Sequence, residues 1–533
     1  VTTPLRDLDL PERSGCLLLG DDTGVAYLDG AEELVHAIVS QAGDLGSLSD
    51  ELHHAGRTWA EQYHMDRGRA NVLRALALPP EASVLEIGAG CGAITRYLGE
   101  VVAAVDAVEP VEARARVAAQ RVRDLPSARV FVGGLEDVPE EPAYDLALSI
   151  GVLEYVGSGS RDDGPYLDFL TALRRRLRPG GALVLAIENQ LGVKYLAGAP
   201  EDHSGRPWDG PEGYPHGSPA RTFARKPLEA LLRAAGFEVA RTLGCFPDYK
   251  ITRVVLADEL VDRHPGLVTA LPSFPSPDWG SSVERVADEA RMWEQLVNAG
   301  LAGEAVNSFL VIATNGEPGV TPWPTGRLAS YFSTDRAARW CTAAEVLPDR
   351  ISKSPMLPQG GDPVSVRGYD EQVHRGAPLL SLLSDEPWRV EELLVLWRDL
   401  LAARAADLGP AIWDLVPHNV VVTEEGPRAI DLEWQVEGAD PIAVEQRGLL
   451  LTADHLARTG WSGAGERTSV RDLASWLGVL LGYAPTYVDE AAEREARFQA
   501  ARICGGSTGA GLRREQDYLR AAWHTRLTEL VAG

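Results

Sequence analysis

Lysine is nearly missing from this chain. Of 51 basic side chains in 533 residues, the lysines are Lys194, Lys226, Lys250 and Lys353, and arginine supplies the rest. A composition rich in Arg, Ala and Gly but poor in Lys is expected of a GC-rich bacterial genome. Positive charge is short overall: 77 acidic residues leave a formal net charge of -26. Phosphate backbones are bound by basic surfaces, so the charge argues against nucleic acid as a partner. The five cysteines (Cys16, Cys91, Cys245, Cys341, Cys504) are scattered, odd in number and without a Cys-x-x-Cys pair. That excludes a disulfide framework or a thiolate zinc site and fits a reducing compartment. No uncharged apolar run approaches the roughly 18–20 residues that span a bilayer. Residues 1–10 are polar and hold no apolar signal core. The expectation is a cytoplasmic protein without a membrane span.

What is present is ordinary for globular chains, with 45% hydrophobic and 24% charged residues. The length exceeds one hydrophobic core and predicts two or three domains. Residues 1–55 read as a leader, with a short helix over 32–40 and a loop over 43–49. A helical pattern over 58–76 ends at Pro79-Pro80. Strands and helices then alternate. Strands are expected at 83–87, 101–108, 128–132, 145–150 and 182–187, with helices at 94–100, 113–123 and 166–177. This rhythm predicts an α/β domain over 56–315, a parallel sheet with helices on both faces. A loop over 190–220 interrupts it, and a loop that long inside a domain is usually functional. A helix at 226–235, a strand at 238–242, a helical insertion over 282–299 and a strand at 307–314 follow. Residues 316–326, rich in Gly and Pro, read as a linker to a second α+β unit over 327–533. Its first strand is expected at 328–333, and it holds a long helix at 388–405.

The strand at 83–87 runs into Glu86-Ile87-Gly88-Ala89-Gly90-Cys91-Gly92. Alternating glycines let the backbone turn sharply and approach a ligand. Glu109 closes the next strand, where a carboxylate can accept hydrogen bonds from ribose hydroxyls. The arrangement resembles the class I S-adenosylmethionine (SAM)-dependent methyltransferases, whose pattern is acidic-apolar-Gly-x-Gly-x-Gly. The resemblance implies a Rossmann-like sheet and SAM as cofactor. It assigns Glu86, Gly88, Ala89, Gly90 and Gly92 to the methionine end and Glu109 to the ribose. It places adenine recognition at Gly134-Leu135-Glu136-Asp137. Many family members have Asp where Gly134 stands, which shifts that role to Glu136, Asp137 or the backbone.

Ligands of open α/β sheets sit beyond the carboxyl ends of the strands. Glu188 and Asn189 are therefore candidates to touch an acceptor, as are Tyr155, which follows the fourth strand, and Tyr214. The 190–220 loop, with residues 91–100, resembles methyltransferase modules of bacterial surface-polysaccharide and glycosylation proteins. That implies O-methylation of a sugar, glycan or glycosylated small molecule. A hydroxyl acceptor needs a base, and a His titrating near neutrality suits that role. His203 is the candidate, oriented by Asp202 or Glu201; His216 is weaker, and His64 is expected to line the cofactor pocket. No His/Asp/Glu spacing in this half specifies a metal site, although Glu201, Asp202 and His203 could contribute ligands.

In the second unit, Asp414-Leu415-Val416-Pro417-His418-Asn419 followed by Asp431 resembles a kinase catalytic loop and its later metal-binding Asp. The resemblance implies Mg-ATP, with Lys353 pairing phosphates and Asn419 and Asp431 holding magnesium. The chain departs from the pattern where Ile412 replaces a His, where the Gly of Asp-Phe-Gly is missing, and where no Gly-rich phosphate loop precedes Lys353. A degenerate kinase-like domain, a bifunctional methyltransferase-kinase modifying a glycan end, and a non-catalytic SAM-binding scaffold all stay open. Oligomeric state is not encoded in any pattern found.

Overall fold

The computed structural model describes residues 3–20, 29–278, 283–319, 321–459, 461–465, 467–505 and 510–529. Ser282 at the head of the expected insertion, residue 320 of the expected linker and residues 1–2 and 21–28 of the expected leader lie outside them. The chain divides into two compact units, residues 1–332 with 345–348, and 333–344 with 349–533.

The strands of the first unit are β1 (Glu12–Arg13), β2 (Cys16–Leu18), β3 (Ser83–Ile87), β4 (Ala104–Glu109), β5 (Ala128–Val132), β6 (Tyr144–Ile150), β7 (Leu177–Glu188), β8 (Glu238–Phe246), β9 (Val254–Leu256), β10 (Ser308–Thr314) and β11 (Ala329–Ser333). Their order in the sheet is β1-β2-β5-β4-β3-β6-β7-β10-β8-β9-β11. Pairing from β2 through β5, β4, β3 and β6 to β7 is parallel. β10 is antiparallel to both β7 and β8. Every residue of β3, β4 and β10 is buried, as near-continuous apolar runs require when both faces are covered. This is the α/β sheet with a parallel core that the alternation predicts.

Four elements differ from the sequence reading. The described residues of the 1–55 leader pack into the first unit. β2 pairs with β5, and Val35 and Val39 of the helix Glu32–Gln41 join a core with Met65, Cys91 and Val117. The 58–76 pattern is interrupted: Trp59–Met65 ends at Asp66, which turns extended and caps the next turn by accepting from the Gly68 amide at 2.6 Å. The helix of the 282–299 insertion is confined to Glu289–Asn298, begun by Asp288 accepting from the Arg291 amide. Finally, Ala329–Tyr331 pairs with β9, so this strand belongs to the first unit. β9 itself has three residues, too few to show a period.

The second unit is mixed α+β. Strand Arg350–Pro355 pairs with Tyr369–Gln372, Val364–Val366 with Trp434–Val436, and Val420–Thr423 with Gly426–Ala429. The helices Val390–Leu408, Pro441–Arg458, Val470–Leu480 and Tyr487–Cys504 supply most of a core that holds Trp340, Trp397 and Trp434. The Trp397 indole donates to the Leu415 carbonyl at 3.0 Å, so its burial leaves no orphan donor. Among the described residues, no helix is long and apolar enough to cross a membrane.

Candidate active site

A cavity of about 740 Å³ opens at the carboxyl ends of β3, β4, β5 and β6. Its near end is backbone. Gly88 and Gly92 have φ of +76° and +77°, and a Cβ on Gly92 would lie 2.7 Å from the Ala118 Cα. Glycine at 92 is thus required by the helix Glu112–Arg121 packed against the loop. At Gly90 a Cβ would meet nothing within 4 Å, so the open space there belongs to the cavity. The Glu109 carboxylate accepts from the Gly90 amide at 2.7 Å and the Val111 amide at 3.0 Å. Burial holds the Glu109 carboxyl above its ordinary range, and these two amides offset only part of that rise. Glu86 accepts from Thr95 Oγ1 at 2.7 Å. Burial, with Glu109 nearby, pushes its carboxyl up to about 8 although the Thr95 bond opposes this.

A glycine cradle that a side chain would fill and two buried carboxylates fit SAM: Glu109 for ribose hydroxyls, Glu86 for a cationic amino group. Ala89 lines the same wall. In the loop after β5, Glu136 lines the cavity, whereas Asp137 turns away and accepts from the Gly134 amide at 2.9 Å. Glu136 therefore faces the cavity, and Asp137 shapes the turn. The 1–55 segment contributes Asp29, whose carboxylate meets His64 Nε2 at 2.8 Å. Both line the cavity, as expected for His64.

The far end is made of side chains from distant segments. Tyr155, Asp202, Tyr249 and Lys250 line it. Directly behind stand Glu154 on the short helix after β6, Glu188 at the end of β7, and His203; one donor atom of each lies within 4.8 Å of the others. His203 Nδ1 meets Glu201 Oε1 at 2.8 Å, and Glu201 Oε2 accepts from the His203 and Ser204 amides at 2.9 and 2.7 Å. Tyr155 packs edge-on to the His203 ring at 5.3 Å. Tyr214 backs the group: its hydroxyl sits 2.5 Å from Thr222 Oγ1 and 3.5 Å from Glu201 Oε1. Asp202 pairs with Lys194 at 3.1 Å and Lys250 at 2.6 Å, and Lys250 also pairs with Glu188.

These contacts revise several assignments. Glu201, not Asp202, orients His203, while Asp202 is committed to the lysines. Burial disfavours a charged His203, but Glu188, Glu201 and Glu154 outweigh it and raise its pKa to about 9. In this state His203 is an imidazolium at neutral pH rather than a poised base. Glu188 is fully buried beside the cavity. Asn189 is fully buried too and holds the fold: its Nδ2 donates to the Glu304 and Val306 carbonyls at 2.8 and 2.7 Å. Tyr214 is a supporting residue and does not line the cavity. His216 is exposed and outside the cluster. Tyr249 and Lys250 are site residues that no sequence motif marks, although the rarity of lysine singles out Lys194 and Lys250.

In the second unit the four kinase-motif positions meet. Lys353 Nζ pairs with Asp431 at 2.6 Å and Glu433 at 2.9 Å. Asn419 Nδ2 donates to the main-chain carbonyls of Asp414 and Asp431 at 3.0 and 3.3 Å. Asp414 Oδ2 accepts from the Glu433 and Trp434 amides, both at 3.1 Å, and burial pushes this carboxyl up to about 7. Asp431 has φ of +53°, a left-handed conformation uncommon outside glycine.

Comparison with known proteins agrees with the first unit. Residues 57–242 match a family model described as a methyltransferase domain, and this segment is a class I SAM-dependent methyltransferase domain. The chain is 34% identical over 121 residues to the tRNA U34 carboxymethyltransferase of Pseudoalteromonas atlantica, covering 22% of this chain and 35% of that one. It is 31% identical over 160 residues to the protein-L-isoaspartate O-methyltransferase of Roseiflexus castenholzii, covering 30% and 62%. The chain thus spans less than two thirds of these relatives' lengths. Among solved structures, the geranyl diphosphate C-methyltransferase of Streptomyces coelicolor has a TM-score of 0.29 at 14% identity, covering 48% of this chain and 81% of that one.

Proposed function

We propose that this chain is a SAM-dependent O-methyltransferase whose acceptor is a hydroxyl of a sugar, glycan or glycosylated small molecule. The observation that carries the reading is the continuity of the cavity. The glycine cradle and Glu109 share one space with a polar far end bordered by Tyr155, Asp202, Tyr249 and Lys250. Such a surface offers both donors and acceptors to a polyhydroxyl ligand, and its carboxylates disfavour a polyanion. Bound in the cradle, SAM supplies an electrophilic methyl group. The chain's own residues orient and shield. Glu86 and Glu109 fix the cofactor's polar ends, and Lys250 and Asp202 hold the acceptor side in register. The two relatives' names give unlike acceptors, a tRNA and a protein, so the acceptor must be read from this chain's own residues.

The test is label transfer from methyl-tritiated SAM to a panel of sugar nucleotides, glycosylated small molecules, amines and tRNA. Methyl ether formation in the sugar-containing members is expected. Label confined to amines or tRNA overturns the reading. SAM binding without turnover on any acceptor favours the scaffold alternative.

A second reading concerns the second unit. Lys353 beside Asp431, with Asn419 between Asp414 and Asp431, supports a kinase-like domain that binds Mg-ATP, and thereby a bifunctional enzyme. Calorimetric titration with Mg-ATP is expected to give heat in the native chain and none in Asp431→Asn, a change that keeps a residue tolerant of left-handed backbone. Absence of heat in the native chain rejects the nucleotide site.

A further inference from the structure

Beside the acceptor end of the cavity, two buried carboxylates and an imidazole converge with one atom each to spare. Glu154 and Glu188 are fully buried. The Tyr249 hydroxyl donates to Glu154 Oε1 at 3.2 Å, and Lys250 takes Glu188 Oε1. Glu154 Oε2 and Glu188 Oε2 have no partner. His203 Nδ1 is held by Glu201, which leaves Nε2 as its open nitrogen. A buried oxygen left unpaired costs on the order of 1–3 kcal/mol, more when charged, so two such oxygens, on carboxylates grouped with the His203 ring, leave a place for a cationic partner.

The charge balance points the same way. The network contains the five carboxylates of Glu154, Glu188, Glu201, Asp202 and Asp248, against three cationic groups, Lys194, Lys250 and His203. Lys194, Asp248 and Glu201 are each at most 2% exposed, so solvent reaches the network chiefly at Asp202 and Lys250 on the cavity wall. The spacing suits a metal: ligand bonds of about 2.0–2.3 Å place neighbouring donors roughly 3–4.5 Å apart, and these lie within 4.8 Å. Each donor also has an orienting partner behind it. The Glu201–His203 pair is the carboxylate–histidine arrangement that sets the ring tautomer in metal sites. We propose that Glu154, Glu188 and His203 bind a divalent cation next to the acceptor end of the methyltransferase cavity. Two carboxylates and one imidazole suit Mn²⁺, Fe²⁺, Zn²⁺ or Mg²⁺, and three protein ligands leave coordination positions for water or an acceptor oxygen.

Mn²⁺ is the probe. Full-length chain, stripped with chelator, is titrated with MnCl₂ and followed by electron paramagnetic resonance, with SAM binding measured on the same samples. The native chain is expected to bind Mn²⁺ stoichiometrically and to show coupling to an imidazole nitrogen in the echo-modulation spectrum. Glu154→Gln and Glu188→Gln are expected to weaken Mn²⁺ by more than about tenfold, and Glu201→Gln by about 10–100-fold. SAM affinity in all three is expected to stay within about twofold, which shows that they are folded. A native chain that binds no Mn²⁺, binds it without nitrogen coupling, or binds it equally well in the folded variants overturns the proposal. None of these outcomes depends on which acceptor is methylated.

Discussion

The two ends of the cavity are built by different means. The cofactor end is local backbone: a strand, a glycine turn and a carboxylate at the tip of the neighbouring strand, with Glu109 tied to the Gly90 amide. The acceptor end is long-range side-chain chemistry, in which Glu154, Glu188, His203 and Lys250 come from four separate segments and meet beside the cavity. A backbone cradle tolerates sequence change around it as long as its glycines stay. A charged cluster is less forgiving, because replacing one member leaves its partners buried and less well paired.

This contrast gives an ordered set of expectations. The largest effect falls on Gly90→Arg, which fills the open side of the cradle. SAM binding is expected to vanish by calorimetry while thermal unfolding changes little beyond the roughly 1–2 kcal/mol of a left-handed residue. Gly92→Ala is the converse. Its Cβ would strike the Ala118 backbone, and strain plus overpacking are expected to cost about 2–5 kcal/mol in a denaturant melt. Equal stability of Gly90→Ala and Gly92→Ala would break the distinction drawn between them. Next comes His203→Asn, which removes one ligand of the proposed cation and the partner of Glu201; turnover is expected to fall by about 10–100-fold with SAM affinity unchanged, and a matching loss of SAM affinity would join the two ends into one unit.

The smallest effect is on pH. Glu86 in the free protein stands at about 8, so it is protonated at pH 7 and must ionise to face a cationic amino group. Binding therefore releases a proton, and SAM affinity is expected to rise from about pH 6 to 7.5 by up to tenfold per unit. Calorimetry in buffers of different ionisation enthalpy reads the released proton directly. Affinity that is flat over this range would remove Glu86 from the cofactor's amino end.

The same contrast decides what could be read in advance. The parallel strands and the Glu86–Gly92 turn are contiguous, and periodicity with glycine spacing exposes them. His203 was legible as a polar residue in a long loop, but its partner was not: Glu201 and Asp202 are adjacent, and only the fold sends one to the ring and the other to lysines. Asn189 has the position of an acceptor-binding residue, yet its amide is spent on two carbonyls across the sheet. The 1–55 segment hid its role because β2 has three residues and gains meaning from β5 beside it.

The scarcity of lysine has a practical meaning. Lys194 and Lys353 are 2% and 4% exposed, Lys250 is engaged by two carboxylates, and Lys226 lies exposed on the helix Arg225–Ala234. To reagents that acylate amines, the folded molecule presents a nearly blank surface with one principal side-chain handle. A fluorophore or a linker attached through amine chemistry is thereby steered to Lys226, away from the cavity. A gain of reactivity at Lys250 would report the opening of its ion pairs.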